Sequence, residues 1–531
     1  MANSRHGGSE GSNQNGSGAL SRRRFLQQSS ATLAALALSP SALLADPTLS
    51  TVVVSTPSGK LRGESSKGIR IFRGVPFAQP PVGSLRFRPT APLKPWKDIR
   101  DATTFAPAAM QPYEPFLPQS EDCLYLNIWA PPGRGPFPVF VWIHGGGFTG
   151  GHSFASLFDG TNFALENIVL VSVAYRLGVF GFMDLGPLLG PSYAGSGNNA
   201  LHDLVASLQW VHDNIGAFGG DPDRVTVGGE SAGAKATAAL MALPQSRNLF
   251  QSAISQSGGG ERVLSLDQAA KVASDYGNLW RTAHPSPNPG FEDLRTASPV
   301  SLIATEARLI STSDRHFRFR SETGDSFLPQ RPVDLISAAS STGKRLLIGT
   351  NRDESALFLG PHPTSDPTSR DLGNLDLPHF NEVFAKYKTV YPDMPEDQLR
   401  VRAVTAEEYW VPSIRLADAH SRTGGSTWMY RLDYTKPTGR QMGEAFHSID
   451  LSLVWQQLDQ IEVADPTAAP LSKQIHQAWV AFIRGNAPAA RGLPQWPQYD
   501  PTTRSTMILA PDSHVEEKPF DAELQLWDEF R

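Results

Sequence analysis

Arg224-Val225-Thr226-Val227-Gly228-Gly229-Glu230-Ser231-Ala232-Gly233-Ala234 is the stretch that decides the fold. Residues 224–228 read as a short buried strand, and the small residues from Ala232 open a helical run through Met241. Between them lies Gly-Glu-Ser-Ala-Gly, so a G-x-S-x-G turn sits between a strand and a helix, the context of a nucleophile elbow. Glycines flank the serine because so tight a turn forces strained dihedrals, and a bulky neighbour would strike the adjoining strand or helix. The hydroxyl is then held at the tip of a sheet, with a helix N-terminus behind it that favours negative charge.

An oxyanion formed at that serine needs donors aimed at it. Upstream, the apolar strand Val139-Phe140-Val141-Trp142-Ile143 runs into His144-Gly145-Gly146-Gly147-Phe148. Consecutive glycines leave the backbone free to turn its N–H groups inward. Gly146 and Gly147 are therefore expected to supply two donors, and Ala232, the residue after the serine, a third.

With these blocks on the page, the chain resembles the type B carboxylesterases, the cholinesterase-like branch of the α/β-hydrolases, in particular its bacterial para-nitrobenzyl-esterase-like members. Glu121-Asp122-Cys123-Leu124-Tyr125-Leu126-Asn127 is similar to the family's second signature, and Ala174-Tyr175-Arg176-Leu177-Gly178 and Phe218-Gly219-Gly220-Asp221-Pro222 extend the likeness. It runs from about Val52 to the closing Trp496-Pro497-Gln498-Tyr499. The resemblance implies an α/β fold: a large, mostly parallel central sheet flanked by helices, with long insertions forming an active-site gorge over the carboxyl ends of the strands.

The resemblance also implies a catalytic set in the chain order serine, acid, histidine. After the strand Arg345-Leu346-Leu347-Ile348, the matching acid is Glu354, with Asp353 beside it expected to make a structural contact. Ser355 stands where relatives often carry glycine. The matching histidine is His447, after the strand Thr427 to Leu432, and Asp450 replaces a usual glutamate. Glu230 matches an acidic family position, readable as a buried hydrogen-bonded carboxylate or as a group that meets substrate. Ser257 matches a family serine and is placed behind the catalytic groups.

Of thirteen histidines, His144 belongs to the glycine turn. His202 and His212 lie on a helix, 201–215, whose Leu201, Leu204, Val205, Leu208, Val211 and Ile215 mark a buried face. His476 lies on a late helix with Trp479 and Phe482, and His420, in an amphipathic stretch, is the one rival base. The implied activity is serine-dependent hydrolysis of small to medium carboxylic esters, with aromatic or xenobiotic esters included. No cofactor or metal is called for. A non-catalytic binding or adhesion module on the same fold is the alternative, and the intact serine, glutamate, histidine and glycine turn count against it.

Composition limits the partners. The 531 residues carry 47 Lys and Arg against 52 Asp and Glu, a formal net charge of −5, which argues against nucleic acid or an anionic membrane surface. The chain divides into a Gly-, Ser- and Asn-rich extension, 1–20, expected to be disordered, a segment 21–45, and one hydrolase domain, 46–531. Ser21-Arg22-Arg23-Arg24-Phe25-Leu26-Gln27 followed by the apolar 31–38 resembles a bacterial twin-arginine signal, too short for a stable membrane anchor. Export to the periplasm or medium is the expectation, and oligomeric state is left open.

Cys123 is the only cysteine, so no disulfide can form within the chain. In eukaryotic relatives the matching cysteine closes a loop, and Ala109 here stands in its partner's place. No tryptophan occurs between Trp96 and Trp129, which argues against the cation–π recognition of choline esters. Two further segments are left for the structure. Arg315-His316-Phe317-Arg318-Phe319-Arg320 reads as a strand with a solvated basic face or as an anion-binding rim, and the Pro-, Ser- and Asp-rich 361–377 as gorge wall or surface.

Overall fold

In the run Phe137–Ile143 every residue after the first is buried, with no polar alternation, as in a strand covered on both faces. A computed structural model describes residues 50–530 apart from 289, 316, 341–342, 440, 462–464 and 466. The extension 1–20 and the twin-arginine segment 21–45 lie outside the described residues.

The strands of the main sheet, in chain order, are β1 (Ser50–Thr56), β2 (Gly59–Ser66), β3 (Ile69–Pro76), β4 (Ile99–Asp101), β5 (Tyr125–Ala130), β6 (Phe137–Ile143) and β7 (Val169–Val173). They continue with β8 (Gly220–Glu230), β9 (Ser252–Gln256), β10 (Arg345–Asn351), β11 (Ser426–Leu432), β12 (Thr506–Leu509) and β13 (His514–Glu516). All thirteen form one sheet in the order β1-β2-β3-β5-β7-β6-β8-β9-β10-β11-β12-β13, with β4 on β2. From β7 to β12 every neighbouring pair is parallel, β1-β2-β3-β5-β7 and β12-β13 are antiparallel, and β4 lies parallel to β2. The large, mostly parallel sheet expected from the sequence is therefore present.

Alternation along each central strand divides two cores. Val139, Val141 and Ile143 of β6 point to one face with Val225, Val227, Leu346 and Ile348. That face is covered by α1 (Asn199–Asn214) and α2 (Ala232–Ala242), through residues such as Leu204, Leu208 and Ala236. Phe140 and Trp142 point to the other, where Trp455 and the later helix Ala468–Ile483, with Trp479, pack against them. On α1, Leu201, Leu204, Leu208 and Val211 are buried as the spacing predicts, as is Ile215 just past its end, and Val205 is half-buried at the margin.

Further helices are α3 (Leu266–Ala283), α4 (Pro299–Thr312), α5 (Leu377–Val390), α6 (Glu396–Thr405) and α7 (Val411–Arg422). One π-helical turn, Ala406–Trp410, joins α6 to α7. Such turns insert an extra residue and redirect side chains. Here all five residues of the turn are buried, Glu407, Glu408 and Tyr409 among them.

The run 315–320 corrects the strand expectation. Its described residues form no strand, Phe319 is buried, and Arg320 is only 5% exposed rather than solvated. Arg318 pairs with Asp275 on α3. Ala109 and Cys123 line one small cavity together with Phe87 and Met110, and the thiol is buried and unbonded to another cysteine. Among the described residues no helix is long and apolar enough to cross a membrane.

Candidate active site

The parallel strands deliver their chemistry at one end. His144 follows β6, Ser231 follows β8, Glu354 follows β10 and His447 lies beyond β11. The register aligns Gly229 with Ile143 and Glu230 with Gln256, so the glycine turn, the serine and the end of β9 meet.

Ser231 occupies φ 55°, ψ −119°, the strained turn the motif predicts, and its N–H is held by the Gln256 carbonyl at 2.9 Å. A Cβ on Gly233 would stand 2.1 Å from the Ile143 carbonyl oxygen, so the helix approaches β6 only because that position is glycine. In the glycine turn, Gly146 and Gly147 adopt φ of 109° and 62°, open to glycine and disfavoured for other residues. The Gly146, Gly147 and Ala232 N–H groups donate to no other protein group among the described residues. They are available to a bound oxyanion.

His447 Nδ1 donates to Glu354 Oε2 at 2.6 Å. The other oxygen of Glu354 accepts the Asn351 N–H at 2.8 Å and the Ser257 hydroxyl at 2.5 Å. Glu354 is fully buried, so it is held by these donors and not by water. Asp353 does what was expected of it structurally, accepting the Ala445 N–H at 3.0 Å and pairing with Arg352. Asp450 lies behind the pair and accepts from Gln256, Asn351 and Tyr430.

The far nitrogen of the ring departs from the simplest expectation. His447 Nε2 stands 3.1 Å from Glu230 Oε1, and among the described residues no hydrogen bond joins it to Ser231. Two buried acids thus bracket one imidazole. Burial pulls the His447 pKa down, but the charges of Glu230 and Glu354 and the Glu354 hydrogen bond outweigh it, and the net shift is upward. Glu230 is pushed up to about 7, by burial first. Nε2 therefore faces Glu230. Ser448 also donates to Glu230, so this acid is a buried, hydrogen-bonded group set at the reacting ring.

The rival histidines fall away. His420 is buried with Nδ1 against Thr427 Oγ1 at 2.7 Å, and burial drives its pKa to about 4. His144 stacks on Tyr175 with ring centroids 4.6 Å apart and is likewise pushed by burial to about 4. His476 faces the Val454 carbonyl and His202 packs on Phe327.

Three aromatic residues wall the site, and the sequence reading had singled out only the run that contains Phe317. Tyr409 and Phe358 lie 4.8 Å and 5.4 Å from the His447 ring, and Phe317 lies 5.9 Å from Phe358. Phe317 also packs over Gly147, 3.0 Å from where a Cβ would stand. The basic-aromatic run therefore reaches the oxyanion turn. Phe358, four residues after Glu354, had only its closeness to that acid as a signal, and Tyr409 had none. Segment 361–377 is tied to the buried Glu407 of the π turn through its Gly373 and Leu375 N–H groups.

A strained serine between strand and helix, free donors beside it and a Glu–His pair at the same sheet end define an α/β-hydrolase with a serine-hydrolase site. The chain belongs to the Carboxylesterase family, whose match spans residues 50–527. It is 35% identical to the para-nitrobenzyl esterase of Bacillus subtilis (strain 168), over 88% of this chain and 96% of that one. It is 31% identical to liver carboxylesterase 1F of Rattus norvegicus, over 84% and 88%. A thermophilic PNB esterase structure superposes with a TM-score of 0.80 at 34% identity, covering 89% of this chain and 99% of that one. The Geobacillus stearothermophilus carboxylesterase EST55 superposes at 0.79 and 33%, covering 90% and 100%. The protein is a serine carboxylic-ester hydrolase.

Proposed function

We propose that Ser231 is the nucleophile, His447 the general base and acid, and Glu354 the group that orients the ring. The observation that carries this assignment is the 2.6 Å His447–Glu354 bond at the same sheet end as the strained Ser231 turn. Substrate binding turns Nε2 from Glu230 toward Ser231, whose proton it takes as the serine attacks the ester carbonyl. The Gly146, Gly147 and Ala232 N–H groups hold the oxyanion. His447 then protonates the leaving alcohol, and water repeats the sequence on the acyl-enzyme. Glu354 stabilises the imidazolium without taking its proton. Stopped-flow release of one p-nitrophenol per chain from p-nitrophenyl acetate, absent from Ser231→Ala, tests the scheme.

The pH profile reports on Glu230. His447 must be neutral to act as base, so activity is present above its pKa and lost as pH falls through it, at a value above the ordinary histidine's. Glu230→Gln removes one of the two anions that favour the imidazolium. The acid limb of kcat/KM should then move to lower pH than in the wild type. A limb that stays put, or moves up, removes Glu230 from control of the ring.

Localisation is read from the sequence alone: residues 21–45 are proposed to direct export by the twin-arginine route, which carries folded proteins. Arg22→Lys with Arg23→Lys should leave the chain in the cytoplasmic fraction of an expressing bacterium; undiminished export excludes the route.

A further inference from the structure

A second set of charges lies directly behind the aromatic wall. Lys235 is on α2, one turn beyond Ser231, Arg262 follows β9, and Arg320 ends the basic-aromatic run. Glu407 and Glu408 come from the π turn. Arg262, Arg320, Glu407 and Glu408 are all buried, and the Lys235 side chain is only 10% exposed.

The two carboxylates are already spoken for. Glu408 takes Lys235 Nζ at 3.1 Å on one oxygen and pairs with Arg262 through the other. Glu407 spends its oxygens on the backbone N–H groups of Gly373, Asn374 and Leu375, with Arg262 Nη2 at 3.7 Å. Arg320 is left with carbonyls alone, Nε on Phe317 at 3.2 Å and Nη1 on Gly373 at 2.6 Å. Its Nη2 has no partner among the described residues. Three cationic side chains thus face two carboxylates inside the protein. Glu230 and Glu354 also act on Lys235, but both are held at His447.

A buried cation without a counter-charge is costly, and a guanidinium with a free edge is built to take a planar anion. Burial, then repulsion from Arg262 and Arg320, pushes the Lys235 ammonium well below its ordinary range, as in a cluster short of negative charge. The cluster is one aromatic layer from the chemistry. The Arg262 guanidinium lies 5.9 Å from the Phe317 ring, which covers Gly147, and Lys235 Nζ lies 5.0 Å from the Tyr409 ring, which flanks His447.

We propose that Arg320 and Arg262 form an anion subsite of the esterase site that receives a second, ionised carboxylate carried by the ester, as in a monoester of a dicarboxylic acid. This rests on the esterase reading and specifies its substrate class. Phe317 would lie along the hydrocarbon between the reacting carbonyl and the free carboxylate, and Arg320 Nη2 would gain the acceptor that the fold withholds.

The test compares matched acidic and neutral esters. Mono-p-nitrophenyl glutarate against p-nitrophenyl valerate places the charge on the acyl side, and 4-butyryloxybenzoate against phenyl butyrate places it on the alcohol side. In at least one pair, the acid-to-neutral ratio of kcat/KM should fall about tenfold or more, roughly the weight of one charged hydrogen bond, from wild type to Arg320→Met. Arg320→Lys should recover part of the loss. Equal ratios in wild type and Arg320→Met for both pairs overturn the subsite, and the pair that responds identifies the side. Should Arg320→Met fail to fold, glutarate as a competitive inhibitor of wild-type p-nitrophenyl valerate hydrolysis decides. Competition by glutarate and not by valeramide supports the subsite, and its absence rejects it. Failure of the esterase reading would look different, since the neutral esters would then be inert with the wild type.

Discussion

Ser231→Ala should lower kcat/KM for p-nitrophenyl esters, acetate through decanoate, by on the order of 10³-fold or more. The strained dihedrals at 231 hold one hydroxyl at the tip of β8, where the Gly146, Gly147 and Ala232 N–H groups stand free. Alanine keeps the turn and the donors and removes only the atom that forms the acyl-enzyme. Whatever rate remains measures the contribution of binding and oxyanion stabilisation alone. Because Ser231 is buried in a preformed turn, alanine costs little packing, and the melting temperature should stay close to wild type. A folded alanine variant as active as the wild type would place the chemistry elsewhere.

Glu354→Gln should be at least as severe, a loss on the order of 10⁴ in kcat, the size seen when a triad carboxylate becomes an amide. The direction follows from the donors around the acid. Asn351 N–H and the Ser257 hydroxyl both point at Glu354 Oε1, so a glutamine there must turn its carbonyl oxygen to them. Its NH₂ then faces His447 Nδ1, which can accept but no longer donate. The ring is forced into the tautomer with the proton on Nε2, where it cannot take one from serine. Stopped-flow acylation rates with p-nitrophenyl acetate measure the effect, with circular dichroism to show the fold intact. Acylation within tenfold of wild type would mean that another acid, Glu230 foremost, orients the ring.

The esterase class was legible because its parts are local. A strand, two glycines and a serine within one short window specify the elbow, and the glycine turn after β6 specifies the donors. Glu354 and His447 were reached only through the family pattern, since nothing in their own neighbourhoods distinguishes Glu354 from Asp353, or His447 from His420. The fold makes those distinctions through distance. Asp353 turns to the Ala445 N–H while Glu354 meets the ring, and His420 is sealed against Thr427.

The sequence by itself determined the hydrolase architecture, the elbow and the oxyanion turn, because each rests on backbone conformation set by neighbouring residues. Only the tertiary structure decided what surrounds the ring. It set Glu230 on Nε2 and brought Tyr409, Phe358 and Phe317 together from the π turn, the short helix after Glu354 and the basic-aromatic run. It also buried Arg320, a residue whose alternating neighbours read as a solvated strand. Charge pairing and burial depend on elements remote in sequence, and the π turn that carries Glu407, Glu408 and Tyr409 inward has no short-range signature.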